Sequence, residues 1–371
     1  MTMPTQEIIS KDLENMYGAS FDCGADKNGD NQVLKFYIES VDDKFLPNNE
    51  KVLEESINKL IDIAFNPLIE NGKFNQKYFD TEKENLKKLI EAKKDDKDAY
   101  SLHACINEMY NDEGFGIFKY GYVEELEKIQ NDTLYEKYKE LIKTAKIDIF
   151  VSGNFDDNAI ENLIKQNSII SKLEDRKENY IVNNELDEPK IKIEKVKEKV
   201  EALDIVQGKL VIGLDIFSKM ENLKFVSIIY NTILGDGANS MLFQNVREKA
   251  SLAYSARSMY VKQKSSIFIK CGIEIENYEK AMTIIKQQLE DIKNGNFTDE
   301  NIDNAKRYII AGVDAIETEQ DTGIIYYMGQ ELSKTDISPE EYKEKIKAVT
   351  REQIIELANS VEINTIYFLR N

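Results

Sequence analysis

The chain has 371 residues, too many for one small core, and this length suggests two domains. Its 42% hydrophobic and 32% charged residues are typical of a globular protein with well-solvated surfaces. The net charge of −19 argues against binding to nucleic acid or an anionic membrane, since both need clustered Lys and Arg. Such a chain would attract a basic or neutral peptide, although most acidic proteins are simply soluble.

The beginning of the sequence has no apolar segment that would indicate a secretory signal, and no run approaches the roughly 18 apolar residues of a membrane helix. Cys23, Cys105 and Cys271 are odd in number and widely spaced, which does not indicate a disulfide framework. We therefore expect a cytoplasmic protein.

Periodic apolar residues predict most elements of the first half. They indicate helices at residues 5–17, 49–65, 75–92, 99–110 and 134–144. Strands are predicted at residues 19–25 and 33–39, with DKNGDN as the turn between them, and at residues 147–153 (IDIFVSG). Residues 171–200 are rich in charge and predict an extended connector.

The second half has the same character. Strands are predicted at residues 209–216, from 251 onward, and at 265–274 and 364–371; helices are predicted up to residue 234, from 241 and at 278–293. Thr298 is the expected N-cap of the next helix, and capping boxes begin at Ser338 and Thr350.

The stretch MLFQNVREKASLAY at residues 241–254 is the centre of this half. It follows a glycine-containing loop, LGDGANS, and carries Arg247 and Tyr254 seven residues apart near a predicted helix end. Taken alone, these two are more simply interpreted as a surface charge and an ordinary strand aromatic.

An internal repeat indicates the domain organisation. LENMYGASF (residues 13–21) aligns with VREKASLAY (246–254), and NGKFNQKYFDTEKENL (71–86) aligns without a gap with NGNFTDENIDNAKRYI (294–309). The repeat predicts an α+β fold with two homologous domains, each a mainly antiparallel sheet covered by helices. The predicted domains are residues 1–170 and 201–371, joined by the linker 171–200.

The first copy lacks the strand and helix that open the second copy. Either the first domain lacks these elements, or the chain is a truncated version of a longer one. The sequence leaves both explanations open.

Paired units with NG-x-F, E-K-x-x-L and LG-x-G-x-x-S-x-LF-x-x-VREK-x-x-LAY resemble the insulinase family of zinc peptidases, which includes pitrilysin and the mitochondrial processing peptidase. The first half resembles the non-catalytic bacterial members that accompany a catalytic homologue. In catalytic members a helix with His-x-x-Glu-His supplies two zinc ligands and the general base, and a Glu on a later helix is the third ligand.

This sequence does not carry that zinc site. Its one histidine, His103, lies in a different element, and Leu89 falls where the third ligand would be. The nearby acids Glu82, Glu84 and Glu91 are better interpreted as a solvated helix face, and His103 as a satisfied or surface histidine. We therefore expect no metal in this chain and a zinc ion in a partner subunit.

The resemblance implies that the second unit keeps the other part of the family's chemistry. Arg247 and Tyr254 match the Arg and Tyr that bind the substrate carbonyl and stabilise the developing oxyanion. The loop with Gly235, Gly237, Asn239 and Ser240 matches a substrate-contacting loop of the processing peptidases.

Three hypotheses follow. The first is a non-catalytic subunit of a heterodimeric zinc peptidase, which closes the peptide chamber beside a partner with His-x-x-Glu-His and offers a sheet edge to an extended peptide. The second is a purely structural or peptide-binding module with no catalytic role. The third, an active peptidase whose motif lies in a missing N-terminal segment, is disfavoured by Leu89.

Overall fold

The computed structural model describes residues 5–173, 176–182, 190, 192 and 194–371. The chain divides into two compact units. The first comprises Met1–Glu91 and Lys119–Ile181, and the second comprises Ala92–Phe118 and Val182–Asn371. Among the described residues, no helix combines the length and apolar character needed to cross a bilayer.

Residues 5–173 alternate helices with short strands. In chain order the elements are α1 (Gln6–Asn15), β1 (Ser20–Asn28), β2 (Asn31–Glu39), α2 (Val52–Phe65), β3 (Ile69–Glu70), β4 (Lys73–Phe74), α3 (Gln76–Glu91), α4 (Lys97–Met109), α5 (Val123–Lys128), α6 (Asn131–Thr144) and α7 (Asp157–Gln166). Strands β1 and β2 form the predicted antiparallel hairpin, and β3 pairs with β4.

The predicted strand at residues 147–153 is wrong, because this segment has no regular secondary structure. Its sequence, IDIFVSG, also aligns with NTIYFLR at residues 364–370, which lies in the last strand of the second unit and pairs with two neighbouring strands. The described part of the first unit contains only the pairs β1–β2 and β3–β4, so residues 147–153 have no strand to pair with. Without a partner, the backbone groups of an apolar extended segment gain no ladder hydrogen bonds.

The second unit is built on a five-stranded sheet. Its elements after α4 are β5 (Lys197–Ala202), β6 (Gly208–Ile216), α8 (Leu223–Leu234), a π-helix (Phe243–Lys249), β7 (Ala253–Val261), β8 (Ser266–Ile273), α9 (Tyr278–Lys293), α10 (Asp299–Thr318), α11 (Gln320–Ser333), α12 (Pro339–Ala348), α13 (Arg351–Ala358) and β9 (Val361–Arg370). The strand order is β5-β9-β6-β8-β7, with only the β5–β9 pair parallel. The prediction of a mainly antiparallel sheet covered by helices is confirmed for this unit.

Strand β6 is buried on both faces, which explains its nearly continuous apolar sequence. Leu210, Ile212 and Leu214 point into the large core with helices α8, α9, α10, α12 and α13. Val211, between them, points to the opposite face and belongs to a second cluster.

Helix α4 covers that opposite face, although the sequence analysis assigned it to the first domain. Its residues Cys105 and Met109 are buried in the second cluster together with Phe268 of β8. A Cβ on Gly213 would lie 2.7 Å from the Met109 sulfur, so glycine permits this close approach of helix to sheet. Local periodicity predicted the helix correctly but carried no information about which sheet it would cover.

The predicted linker, residues 171–200, is partly structured where it is described. It includes the start of β5 at Lys197, an edge strand of the sheet. Lys190, which lies just before β5, forms a largely buried ion pair with Asp215 of β6. Burial lowers the pKa of Lys190, and the neighbouring Asp215 carboxylate opposes that shift. Residues 174–175, 183–189, 191 and 193 of the linker lie outside the described residues.

The internal repeat is visible in the hydrogen bonds that follow α1 in the first copy and the π-helix in the second copy. The amide of Ala19 donates to the carbonyl of Leu13, and the amide of Leu252 donates to the carbonyl of Val246, each over 3.1 Å. The sequence alignment pairs these residues with one another. Both bonds therefore close the same turn in the two copies.

Two aligned lysines show a second correspondence. Lys83 Nζ donates to the carbonyls of Glu127 and Ile129, at the C-terminus of α5. Lys306 Nζ donates to the carbonyls of Lys347 and Val349 at the C-terminus of α12. Each lysine satisfies orphan carbonyls and complements the negative end of a helix dipole.

Candidate functional site: the π-helix and edge strand β7

The segment after α8 contains a π-helix where the sequence predicts an α-helix. Residues Phe243–Lys249 form it, and strand β7 begins four residues later at Ala253. π-helical turns are rare and occur frequently at functional sites. Heptad-like apolar spacing does not distinguish the two helix types, which is why the sequence analysis missed this feature.

Packing fixes the orientation of the π-helix. Leu242 and Val246 are completely buried in the main core. Asn245 also donates a hydrogen bond to the buried Gln288 of α9, over 2.5 Å. These contacts hold the helix in place, and Arg247, Glu248 and Lys249 are exposed.

Arg247 projects from this helix with 43% of its side chain exposed. Its guanidinium carbon lies 4.6 Å from the centre of the Phe243 ring, a cation–π contact that restricts the side chain. Its Nε is 3.6 Å from a carboxylate oxygen of Glu248. Phe243 had no assigned role in the sequence analysis, yet its position four residues before an arginine is the pattern that could have suggested this contact.

Tyr254 lies at the start of β7 and is 68% exposed. Strand β7 is the edge of the sheet and pairs with β8 along one side. At Ser258 its other side is covered, because the Ser258 amide donates to the Gly235 carbonyl over 2.9 Å. An exposed phenol and an exposed guanidinium therefore stand on consecutive elements at one end of an edge strand.

The four predicted loop residues differ in their surroundings. Gly235 ends α8, and a Cβ there would lie 2.6 Å from the backbone nitrogen and Oγ of Ser258, so close packing accounts for this glycine. Ser240 is buried, and its hydroxyl donates to the Gly237 carbonyl over 2.7 Å. Gly237 has φ of +114°, a conformation that favours glycine, and Asn239 is exposed.

The same loop carries an acid that the sequence analysis did not consider. Burial raises the pKa of Asp236, and the neighbouring Arg257 guanidinium of β7 partly opposes this shift. The loop therefore carries a partly buried carboxyl group of reduced acidity.

Zinc chemistry has no suitable ligand set in the described residues. They include no group of three or more His, Cys, Asp or Glu side chains arranged to hold a metal ion. Leu89, at the third-ligand position, is a half-exposed apolar side chain on α3. His103 is partly buried on α4, its ring edge-to-face with Phe118 at 5.0 Å. The residues that the structure describes therefore do not fit a zinc site.

The acids near Leu89 agree with the interpretation of a solvated helix face. Glu82, Glu84 and Glu91 are all exposed on α3. Glu84 lies 3.7 Å from Lys88, one turn away, as a surface ion pair.

Comparison with known proteins identifies relatives along the whole chain. A family model described as "Peptidase M16 inactive domain" matches residues 128–309. The chain is 32% identical over 360 residues to the "Probable inactive metalloprotease YmfF" of Bacillus subtilis strain 168, covering 96% of this chain and 83% of that protein.

Two solved structures have the same fold. A conserved protein from Enterococcus faecalis V583 matches with a TM-score of 0.86 and 28% identity, covering 100% of this chain and 86% of that one. A peptidase M16 inactive domain from Pseudomonas fluorescens matches with a TM-score of 0.74 and 17% identity, covering 98% of this chain and 84% of that one. At this lower identity the second match supports the fold alone.

Proposed function

The chain belongs to the peptidase M16 family and is related to its inactive members, and we propose that it is the non-catalytic subunit of a two-chain zinc peptidase. In this proposal a homologous partner carries His-x-x-Glu-His and the zinc ion. This chain closes the peptide chamber and supplies Arg247, Tyr254 and a sheet edge.

The observation that carries the proposal is the exposure of Arg247 and Tyr254 on a rigidly anchored π-helix and the strand that follows it. The contact with the Phe243 ring restricts the guanidinium of Arg247, whose N–H groups are hydrogen-bond donors. A phenol adds a second donor. Two such groups are suited to bind a substrate carbonyl and to stabilise the oxyanion that forms from it.

Strand β7 would hold the peptide. As an edge strand it can accept an extended peptide as an additional strand, with main-chain hydrogen bonds that do not depend on sequence. The Gly235–Ser258 hydrogen bond limits the accessible edge to the part of β7 nearest Tyr254. The net charge of −19 favours basic peptides among the possible substrates.

A cytoplasmic location belongs to the same proposal. The cysteines Cys23, Cys105 and Cys271 are all present as thiols, which is usual for reducing compartments. Fractionation of the host cell would test this part separately.

The experiment begins with purification of the tagged chain from its host and identification of a stoichiometric partner with His-x-x-Glu-His. Peptidase turnover of the complex is then measured for Arg247→Ala and Tyr254→Phe. Removing one oxyanion donor typically costs on the order of 100–1000-fold in kcat, so we expect losses of this size for Arg247→Ala. Arg307→Ala, which removes an exposed arginine of α10, is the matched control and should leave turnover unchanged.

An assembled complex in which both variants work at the normal rate would contradict the catalytic part. The alternative, a scaffold or peptide-binding module, would then be favoured. One observation already supports that alternative for the loop, since packing alone accounts for Gly235 and an internal hydrogen bond occupies Ser240.

A further inference from the structure

A cavity lies within the second unit, and neither Arg247 nor Tyr254 lines it. It has a volume of about 520 Å³ and opens between α8, β7 and the helices α10, α11 and α12. Apolar side chains form much of its wall: Ile228, Met259, Ile309 and Ile325. Two of its polar lining residues, Asn231 and Lys262, are suited to bind a ligand.

The first is Asn231 of α8, which is only 5% exposed. Its side-chain Oδ1 is buried and accepts no hydrogen bond from the residues that the structure describes. The backbone carbonyl of the same residue, in contrast, accepts bonds from the Gly235 amide and the Ser258 hydroxyl. A buried acceptor without a donor costs about 1–3 kcal/mol, a cost that a bound donor would remove.

The second is Lys262, the residue after β7, which is partly buried. Its Nζ lies 3.5 Å from the position that a Cβ on Gly329 would occupy, so the ammonium group is close to α11. Burial lowers the pKa of Lys262, and no neighbouring carboxylate opposes this shift. Within the described ranges Lys262 has no ion pair, although a withdrawn ammonium group is stabilised by an anionic acceptor.

Three other polar groups of the cavity already have hydrogen-bond partners. The Ser258 hydroxyl donates to the Asn231 carbonyl, Thr232 donates to the Ile228 carbonyl, and the Gln330 amide donates to the Ile337 carbonyl. The cavity therefore offers a ligand the Lys262 ammonium group, the Asn231 acceptor and an apolar wall. Lys224 and Asp236 also line it, and burial raises the pKa of the Asp236 carboxyl group, which favours its neutral form beside an anionic ligand.

We propose that this cavity binds a carboxylate ligand that has an N–H group beside the carboxylate and an apolar side chain. Lys262 would pair with the carboxylate, Asn231 would accept the N–H, and the isoleucines would contact the side chain. Both the C-terminal residue of a peptide and a free apolar amino acid have this chemistry. The proposal does not depend on a partner subunit or on the oxyanion role of Arg247.

Binding is tested by isothermal titration calorimetry on the full chain. The probes are N-acetyl-leucine, an N-acetylated tripeptide ending in leucine, free leucine, and N-acetyl-leucine amide, which lacks the carboxylate. We expect the carboxylate probes to bind and the amide to bind at least about tenfold more weakly, the factor that corresponds to 1.4 kcal/mol. The acetylated tripeptide and free leucine distinguish a peptide terminus from a free amino acid as the source.

Variants identify the residues involved. Lys262→Met should weaken binding of N-acetyl-leucine at least about tenfold, whereas Lys262→Arg, which keeps the charge, should retain most of it. Lys286→Met, which removes an exposed lysine of α9, is the matched control and should bind normally. Thermal unfolding of each variant verifies that the fold is intact.

Two outcomes would overturn the proposal. One is saturable binding that Lys262→Met or loss of the carboxylate leaves unchanged. The other is the lack of saturable binding of every probe up to roughly 10 mM, a range that includes affinities of only about 4 kcal/mol.

Discussion

Ser251 and Gly18, its counterpart in the first copy, both have a positive φ angle. Their φ angles are +53° and +76°, both in the left-handed region. Gly18 follows α1 and Ser251 follows the π-helix. The Gly18 amide donates to the Glu14 carbonyl, and the Ser251 amide donates to the aligned carbonyl of Arg247. The second copy therefore places a serine where the fold requires a conformation that glycine adopts without strain.

Replacing this serine with glycine should stabilise the second unit. Ser251→Gly relieves the left-handed strain, and the gain exceeds the added flexibility of the unfolded chain, so we expect about 0.5–1 kcal/mol in the free energy of unfolding. Urea unfolding followed by circular dichroism measures it. Ser255→Gly, in strand β7, should instead lower stability, and a gain at both positions would contradict the strain argument.

Replacing Gly235, at the end of α8, should lower stability because there is no room for a side chain. In Gly235→Ala the new Cβ would lie 2.6 Å from the backbone nitrogen of Ser258, and the displacement of β7 should cost about 1–3 kcal/mol. Gly312→Ala is the matched control, since Gly312 lies inside α10 with no atom near its Cβ position. It should raise stability by about 0.8–1 kcal/mol. Equal effects of the two changes, measured by urea unfolding, would contradict this account.

Glu201 should give the second unit a specific dependence on pH. Tyr100 of α4 and Tyr367 of β9 donate hydrogen bonds to its two oxygens, over 2.6 and 2.8 Å. Burial raises the pKa of this carboxyl, but the two phenols, together with Lys94 and Lys199, outweigh that effect and hold the pKa below its usual range. The carboxylate thus stabilises the fold above its unfolded-state pKa, and this contribution is lost as the pH falls through the folded-state value.

Glu201→Gln tests this dependence. We expect it to lower the free energy of unfolding by about 1–3 kcal/mol at pH 7, the range for hydrogen bonds to a charged group, and by less as the wild-type carboxyl becomes protonated in acid. Urea unfolding at several pH values measures the difference. Glu198→Gln, at an exposed position of the same strand, should change stability by less than about 0.5 kcal/mol. A loss for Glu201→Gln that is independent of pH would contradict the ionic role.

Lys306 should stabilise the end of α12. Its ammonium group donates to two carbonyls over 2.7 Å each, and Lys306→Met would remove both bonds while it keeps most of the aliphatic chain. We expect a loss of about 1–2 kcal/mol on thermal or urea unfolding. The exposed Lys347 side chain pairs with Glu344 at the surface, so Lys347→Met should have little effect. If both variants unfold alike, the capping role is refuted.

Local rules were sufficient for most elements of this chain. Thr298 is the predicted N-cap and Thr350 forms the predicted capping box, whereas Ser338 is an N-cap through its own hydroxyl. A hydroxyl that accepts from an amide three residues later is a purely local arrangement. Helix α9 has the predicted bounds, and the DKNGDN hairpin forms. The repeat could also be found from the sequence, because it needs only the comparison of two segments. The matching hydrogen bonds of the aligned Lys83 and Lys306 support that alignment.

The candidate site was predictable only as a motif. The sequence pattern selected Arg247 and Tyr254, but their exposure, the Phe243 ring and the π-helical turn depend on how the segment packs. Likewise, the sequence could not show why the loop needs its two glycines. Close packing against β7 leaves no room for a side chain at Gly235, whereas the backbone conformation of Gly237 favours glycine. The roles of these residues in substrate binding stay predictions.

By itself the sequence determined the α+β class, the two copies, the position of most helices and the lack of a His-x-x-Glu-His motif in these 371 residues. All of these depend on residues near one another in the chain or on direct comparison of two segments. Only the tertiary structure decided that α4 covers the sheet of the second unit, that residues 147–153 form no strand, and that Asn231 and Lys262 line one cavity. A strand needs a second strand to pair with, an apolar helix face needs a sheet to cover, and a cavity needs residues on several sides. In each case these other residues come from distant parts of the chain.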